Sequence, residues 1–199
     1  MKSIVKQVCG IDVSQKELVV TLGRLHRDLT SELFAYKVFP NSDKGFDLLS
    51  VWIKKLIEPS VAINYVMEAT GVYHERLAYF LYQQQQMTSI ILPNKLSNYF
   101  RTLSVKTITD KTASETIARF GLERKLDNWK PANPVFKKLR QLARERDQLV
   151  QTRTMIKNQL HAEQSEAEPN NATINRFKKQ ILLFDKQEQE IKLELAATV

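Results

Sequence analysis

The chain has 199 residues, 30 of them Lys or Arg and 22 Asp or Glu, giving a formal charge of +8 and a pI near 9.5, so a polyanionic partner is expected. With 43% hydrophobic and 26% charged residues and only 5 Gly and 6 Pro, it is composed as a soluble globular protein, and a collagen-like or low-complexity chain is excluded. A lone Cys9 excludes an internal disulfide framework and a Cys-based zinc site; no apolar run reaches the ~18 residues that span a bilayer, and the N-terminus is too broken in hydrophobicity for a secretory signal. A cytoplasmic location with no membrane partner is the expectation.

The elements follow in chain order. Val8–Val13, Leu18–Leu22 and Phe34–Phe39 are short β-rich runs that would form an antiparallel meander ended by Pro40. Asn41 or Ser42 then caps a helix over Gly45–Ile57, with Phe46, Leu49 and Ile53 at helical spacing. A buried strand is expected at Val61–Met67, a helix at about Tyr73–Gln84, and a strand at Thr88–Leu92 stopped by Pro93. Residues 95–103 and 110–121 read as helices, the second with Gly121 as its C-terminal stop. The order β-β-β-α-β-α-β-α predicts an α/β fold, a mixed sheet flanked by helices.

Two prolines in Trp129–Pro134 break the chain, so domains are placed at 1–130 and 131–199. Downstream, Val135, Leu139, Leu142, Arg146, Leu149, Arg153, Ile156 and Leu160 are spaced as a heptad seam, as are Ile174, Phe177, Ile181, Phe184, Glu188, Ile191 and Leu195. Pro169 lies between them, which predicts an antiparallel coiled-coil hairpin about 35 Å long at 1.5 Å per residue. Arg146 and Arg153 on the seam would reach a phosphate or a partner carboxylate, or snorkel from the seam edge. Residues 135–160 hold seven basic residues against two acids, which makes Arg140, Arg144 and Lys157 candidate phosphate contacts.

Three acids stand out. Asp12 interrupts an apolar strand, and Glu68 ends another immediately before a helix. A lone buried carboxylate costs several kcal/mol, so each needs a partner. Asp110 adds a third near a helix start, where the plain alternative is a favourable contact with the helix dipole. Three hard oxygen donors suit Mg²⁺ or Mn²⁺, possible as a two-ion site acting on a phosphodiester. Lys95, Arg101, Lys106 and Lys111 lie in the basic stretch 95–130 and would meet backbone phosphates, with a solvated helix face as the alternative.

The ordered segments Gly10-Ile11-Asp12-Val13-Ser14, Met67-Glu68-Ala69-Thr70-Gly71-Val72-Tyr73, Leu92-Pro93-Asn94, Lys106-Thr107-Ile108-Thr109-Asp110-Lys111-Thr112 and Ile117-Ala118-Arg119-Phe120-Gly121 resemble the N-terminal half of the "IS one-ten" insertion-sequence transposases and the pilin-gene invertases. The resemblance implies an RNase H-like, RuvC-like domain with an Asp-Glu-Asp-Asp motif binding Mg²⁺, then a coiled coil and a C-terminal domain bearing a serine nucleophile. It also implies double-stranded DNA and a non-coding guide (bridge) RNA as partners, in a bacterial or archaeal cytoplasm, and a homo-oligomer through the coiled coil. On this chain the first three acids fall on Asp12, Glu68 and Asp110. The fourth position is Ala113, which shares a helix face with Asp110 but has no ligand atom; a deliberate Asp-to-Ala change and natural decay both explain it.

Nothing resembling the serine-bearing domain follows Val199, so this chain is expected to bind nucleic acid but not to recombine DNA alone. Ser14, Ser97 and Ser104 lack the neighbouring base of an activated nucleophile. His26, His74 and His161 have no metal-ligand spacing. Two rival readings are a nucleic-acid-binding module with a defunct acid site and a metal-dependent junction resolvase.

Overall fold

The structure, a computed structural model, describes residues 3–69, 71–103 and 109–198. It divides into two compact units, Met1–Pro131 and Ala132–Val199.

In the first unit, β1 (Ile4–Val13), β2 (Glu17–His26) and β3 (Ser31–Pro40) form the antiparallel meander, while β4 (Ile63–Glu68) and β5 (Met87–Ile91) run parallel to β1. The sheet order is β3-β2-β1-β4-β5. The first three strands outrun their apolar centres because irregularities at Ile4/Lys6 and Leu22/Gly23 let pairing continue into polar ends. The β2–β3 turn is closed by Leu29 at a φ of 64 and by the Asp28 carboxylate, which accepts from the Thr30 N–H at 3.0 Å. No Gly or Asn marks it, which is why the sequence does not announce it.

Helices α1 (Asp43–Lys54), α2 (Glu75–Gln83), α3 (Pro93–Phe100) and α4 (Asp110–Glu123) complete the unit. Ser42 caps α1 by accepting from Gly45 N–H, and Thr109 and Thr112 form a reciprocal capping box on α4. The helix expected at 95–103 starts earlier, with Pro93 at its first turn, where the missing N–H costs nothing.

Strand alternation divides the side chains between two layers. Cys9, Ile11, Val20, Tyr65 and Met67 face α1 and α2, packing on Phe46, Leu49, Ile53, Leu77 and Leu81. Val8, Val66 and Ile91 face the opposite way, onto Leu96, Tyr99, Ile117 and Phe120 of α3 and α4. Gly121 does not stop α4, contrary to the expectation: it lies inside the helix, where a Cβ would come within 2.8 Å of Val8 Cγ1 and 3.0 Å of Val66 Cγ2. Its role is close packing of helix on sheet.

The second unit is an antiparallel helical hairpin of α5 (Pro134–Gln164) and α6 (Asn171–Thr198). At 31 residues, α5 is about 46 Å long, more than the expected length, because it starts at Pro134 itself. Asn170 begins α6 by accepting from the Ala172 and Thr173 N–H groups. Leu142, Ile156, Ile174 and Ile191 are buried between the two helices, as the seam spacing predicts.

Candidate carboxylate site and nucleic-acid surfaces

Asp12 shares the strand parity of Val8 and Gly10, so it projects from the α4 face of the sheet near the C-terminal end of β1. Glu68 has the parity of Val66 on the parallel neighbour, and the register Ile11↔Met67 sets the two acids side by side. Asp110 is the first residue of α4, which lies across this face. Gly10 makes that crossing possible: a Cβ there would be 2.4 Å from Ala118 N and 2.5 Å from Ser114 O, both backbone atoms. Thr21 of β2 and Ser114 of α4 lock the approach with a buried hydroxyl pair at 2.8 Å.

The electrostatics report the convergence. Burial first, then the Asp110 and Glu68 carboxylates, push Asp12 up to about 6, against a backbone hydrogen bond at Val13 that works the other way. Carboxylates from β4 and α4 therefore both act on Asp12 of β1. Among the described residues, no three His, Cys, Asp or Glu side chains are gathered closely enough to enclose one ion. All three groups here are carboxylates, and their mutual repulsion is what a hard cation would relieve.

Ala113, half-buried one turn into α4, offers only a methyl group toward its surroundings. Ser114 cannot replace an acid there, because its hydroxyl is buried on Thr21 and donates to Lys111 O at 2.8 Å. Glu115 lies 3.9 Å from Lys111 Nζ. Ser14 closes a turn with Glu17, its hydroxyl donating to Glu17 O and accepting from Glu17 N–H, and has no base beside it. His26 is buried with Nε2 3.3 Å from Glu32 Oε1, at the end of β2 remote from Asp12, and His161 lies in the last turn of α5.

Among the basic candidates, Lys95 and Arg101 are exposed at the two ends of α3, and Lys111 sits 5.3 Å over the Tyr36 ring. Lys106 lies outside the described residues, as do Thr70, Ser104, Thr107 and Ile108. Arg140, Arg144 and Lys157 are exposed along α5. The seam arginines resolve in favour of partner carboxylates. Arg153 donates to Asp185 and to Glu188 at 2.6 Å each, and Arg146 lies 3.4 Å from Glu188. Sequence reasoning placed Glu188 on the seam without giving it this role, although a seam acid at the level of two seam arginines was the signal.

The sequence model of the IS110-type DEDD transposases matches residues 9–165. The chain belongs to this transposase family. Curated relatives are pilin gene-inverting proteins: that of Moraxella lacunata is 28% identical over 153 residues, 75% of this chain and 46% of the relative, and that of Moraxella bovis is 31% identical over 120 residues, 58% and 37%. The chain thus spans less than half the length of the relatives it matches. Among solved structures, Thermus thermophilus RuvC is similar at 10% identity and a TM-score of 0.44, covering 62% of this chain and 99% of RuvC. The same protein in complex with a Holliday junction substrate matches at 10% and 0.40, covering 58% and 97%. Among the described residues of this family member, no helix is long and apolar enough to cross a membrane.

Proposed function

We propose that this chain is the catalytic-domain portion of a DNA recombinase, in which Asp12, Glu68 and Asp110 hold a divalent cation for phosphodiester chemistry. The observation that carries the reading is the strand register that sets Asp12 beside Glu68, with α4 packed on Gly10 and beginning at Asp110, in a chain whose family is that of DEDD transposases. Residues 1–130 are the RuvC-like unit of this reading and residues 131–199 a coiled coil that brings copies together. Double-stranded DNA and a structured guide RNA are the partners, with Lys95, Arg101, Lys106 and Lys111 on phosphates near the acids and Arg140, Arg144 and Lys157 on phosphates along α5.

The residues divide the work by their positions. Asp12 and Glu68 are fixed by paired strands, so they supply a preorganised rim; Asp110 arrives from α4 and depends on the Gly10 contact. Mg²⁺ or Mn²⁺, when bound, supplies activation of water or a hydroxyl and a counter-charge for phosphodiester oxygens. Lys111 stands next to Asp110 and would steady the incoming phosphate. Ala113 leaves the set one donor short, so cation affinity is weakened and the chain is expected to be inactive alone.

Mn²⁺ calorimetry tests the site. Glu68→Ala should abolish or strongly weaken binding and Ala113→Asp should strengthen it; unchanged affinity in Glu68→Ala rejects the shared site. Ala113 also favours a second reading, a nucleic-acid-binding module with a defunct acid site. Joined to a serine-bearing C-terminal half in Mg²⁺, the Ala113→Asp chain should exchange strands, whereas RNA binding without exchange supports the module. Cleavage of branched DNA by Ala113→Asp without that half would instead identify a junction nuclease.

A further inference from the structure

A groove in the first unit runs between α3, the C-terminal end of α4 and the segment that follows it along β5. It comprises two adjoining cavities of about 360 and 270 Å³ that share Lys95, Phe120 and Arg124. Lys125 joins the rim, and Asp127 is the single carboxylate among the lining residues. Lys95, Arg124 and Lys125 are exposed and make no ion pair among the described residues, whereas Arg24, Arg76 and Lys111 are each matched to a carboxylate.

Two further features make the groove electropositive. A helix C-terminus is normally a negative end, but here Lys6 Nζ donates to Leu122 O at 3.2 Å and to Arg124 O at 2.7 Å, offsetting the last carbonyls of α4. Asn98, exposed on α3, lines the wall with an amide able to donate. The floor is apolar and aromatic: Phe120 and Tyr99, both largely buried, meet edge-on at 5.1 Å, and the Glu123 carboxylate lies beside the Tyr99 hydroxyl. Cations above an aromatic floor are the combination that binds single strands, phosphates on the rim and bases toward the rings.

The position relates the groove to the acids. Lys95 follows β5, whose Ile91 pairs with Glu68, while α4 runs from Asp110 to Arg124 over 14 residues and a cap, roughly 20 Å. We infer that this groove is a single-strand subsite, where Lys95, Arg124 and Lys125 hold the phosphates of an unpaired nucleic-acid segment leaving the carboxylates. The inference rests on the proposed nucleic-acid function but not on cation binding at Asp12.

The test compares two triple variants of the full chain, Lys95→Gln with Arg124→Gln and Lys125→Gln, and Lys44→Gln with Lys54→Gln and Lys55→Gln on α1, which remove the same charge. Fluorescence anisotropy reads their affinity for single-stranded RNA, single-stranded DNA and duplex DNA across a salt series, and circular dichroism verifies folding. The groove triple should weaken single-strand binding at least tenfold at ~0.1 M salt and flatten the log–log salt slope by about 2, roughly 0.7 per lost phosphate contact, and the α1 triple should not. A loss on RNA alone or DNA alone identifies which strand the groove takes. Equal losses in both triples, no change in slope, or a loss confined to duplex overturns the subsite. A wild-type chain that binds no strand overturns the nucleic-acid reading itself, and the groove with it. Should the triple fail to fold, Lys125→Gln, exposed and without a side-chain hydrogen bond among the described residues, should still flatten the slope by about 0.7.

Discussion

Two groups of carboxylates in this chain are arranged in opposite senses. On the sheet, Asp12 is pushed up to about 6 by burial and by the Asp110 and Glu68 carboxylates, and no cation is among the causes that act on it. In the hairpin, Glu188 is only 5% exposed, yet it is held below the usual carboxylate range by Lys192 first, with Arg153 adding its hydrogen bond and charge. Arg146 Nε lies 3.4 Å from the same carboxylate. Glu188 is covered by side chains of a two-helix hairpin rather than by a thick protein layer, so desolvation opposes its cations only partly. A charge that serves structure carries its counter-charges within the fold, whereas the acids on the sheet are, on the proposed reading, where a counter-ion from outside would bind.

The strongest way to break the sheet side of this comparison is Gly10→Ala. The added methyl would meet backbone atoms of Ala118 and Ser114 at 2.4 to 2.7 Å, so α4 must lift from β1. Overpacking of this kind costs about 3 kcal/mol or more, which urea unfolding would register. Lifting α4 also carries Asp110 away, so the Asp12 carboxyl should titrate lower, by NMR, than in the parent chain. A stable Gly10→Ala protein with Asp12 unshifted would mean that the Gly10 contact does not set the site.

Next in size is the pH dependence of the acid cluster. Asp12 has a folded pKa above its ordinary value of about 4, so its contribution to stability is fully present below that value and is lost as pH rises through about 6. Asp12 is only part-buried, so solvent screening reduces the loss to about 1–2 kcal/mol. Thermal midpoints without divalent cations should therefore decline between pH ~4 and ~6.5, and Asp12→Asn should remove that decline. Millimolar Mn²⁺ should reverse it in the parent chain near pH 7 and leave Asp12→Asn unmoved.

How much of this was legible depends on where each signal lies along the chain. Asp12 and Glu68 were visible because one interrupts an apolar run and the other ends one, Asp110 only because it opens a helix within the resembling motif, and the hairpin because a 4-3 spacing survives over more than twenty residues. Gly121 was misread because a helix-stopping glycine and a helix-packing glycine look alike until Val8 and Val66 are placed beneath it. The β2–β3 turn was invisible because Leu29 takes the position where Gly or Asn is the usual sign. Arg124 and Lys125 did not announce themselves as partners of Lys95, because roughly thirty residues and a whole helix separate them before the fold brings them to one groove.

The smallest expected effect lies on the hairpin side, and it has the opposite sign. Glu188 has a lowered pKa, so its contribution is present above the ordinary carboxylate range and is lost as pH falls through its folded value. Acidification should loosen α5 from α6 under the same conditions that favour protonated Asp12 on the sheet. Glu188→Gln keeps the shape but replaces one of two accepting oxygens with a donating amide and removes the charge facing Arg146, Arg153 and Lys192. It should lower the melting midpoint of the helical signal by a few degrees at pH 7, and by less in high salt, where the ion pairs it removes are already screened. The double variant Arg153→Met with Glu188→Leu should recover much of that loss, since an apolar pair at a seam level avoids the desolvation that the ions must overcome. If Glu188→Gln melts as the parent does at every pH and salt, the carboxylate is a spectator, and the hairpin is held by the apolar seam of Leu142, Ile156, Ile174 and Ile191 and by its other ion pairs.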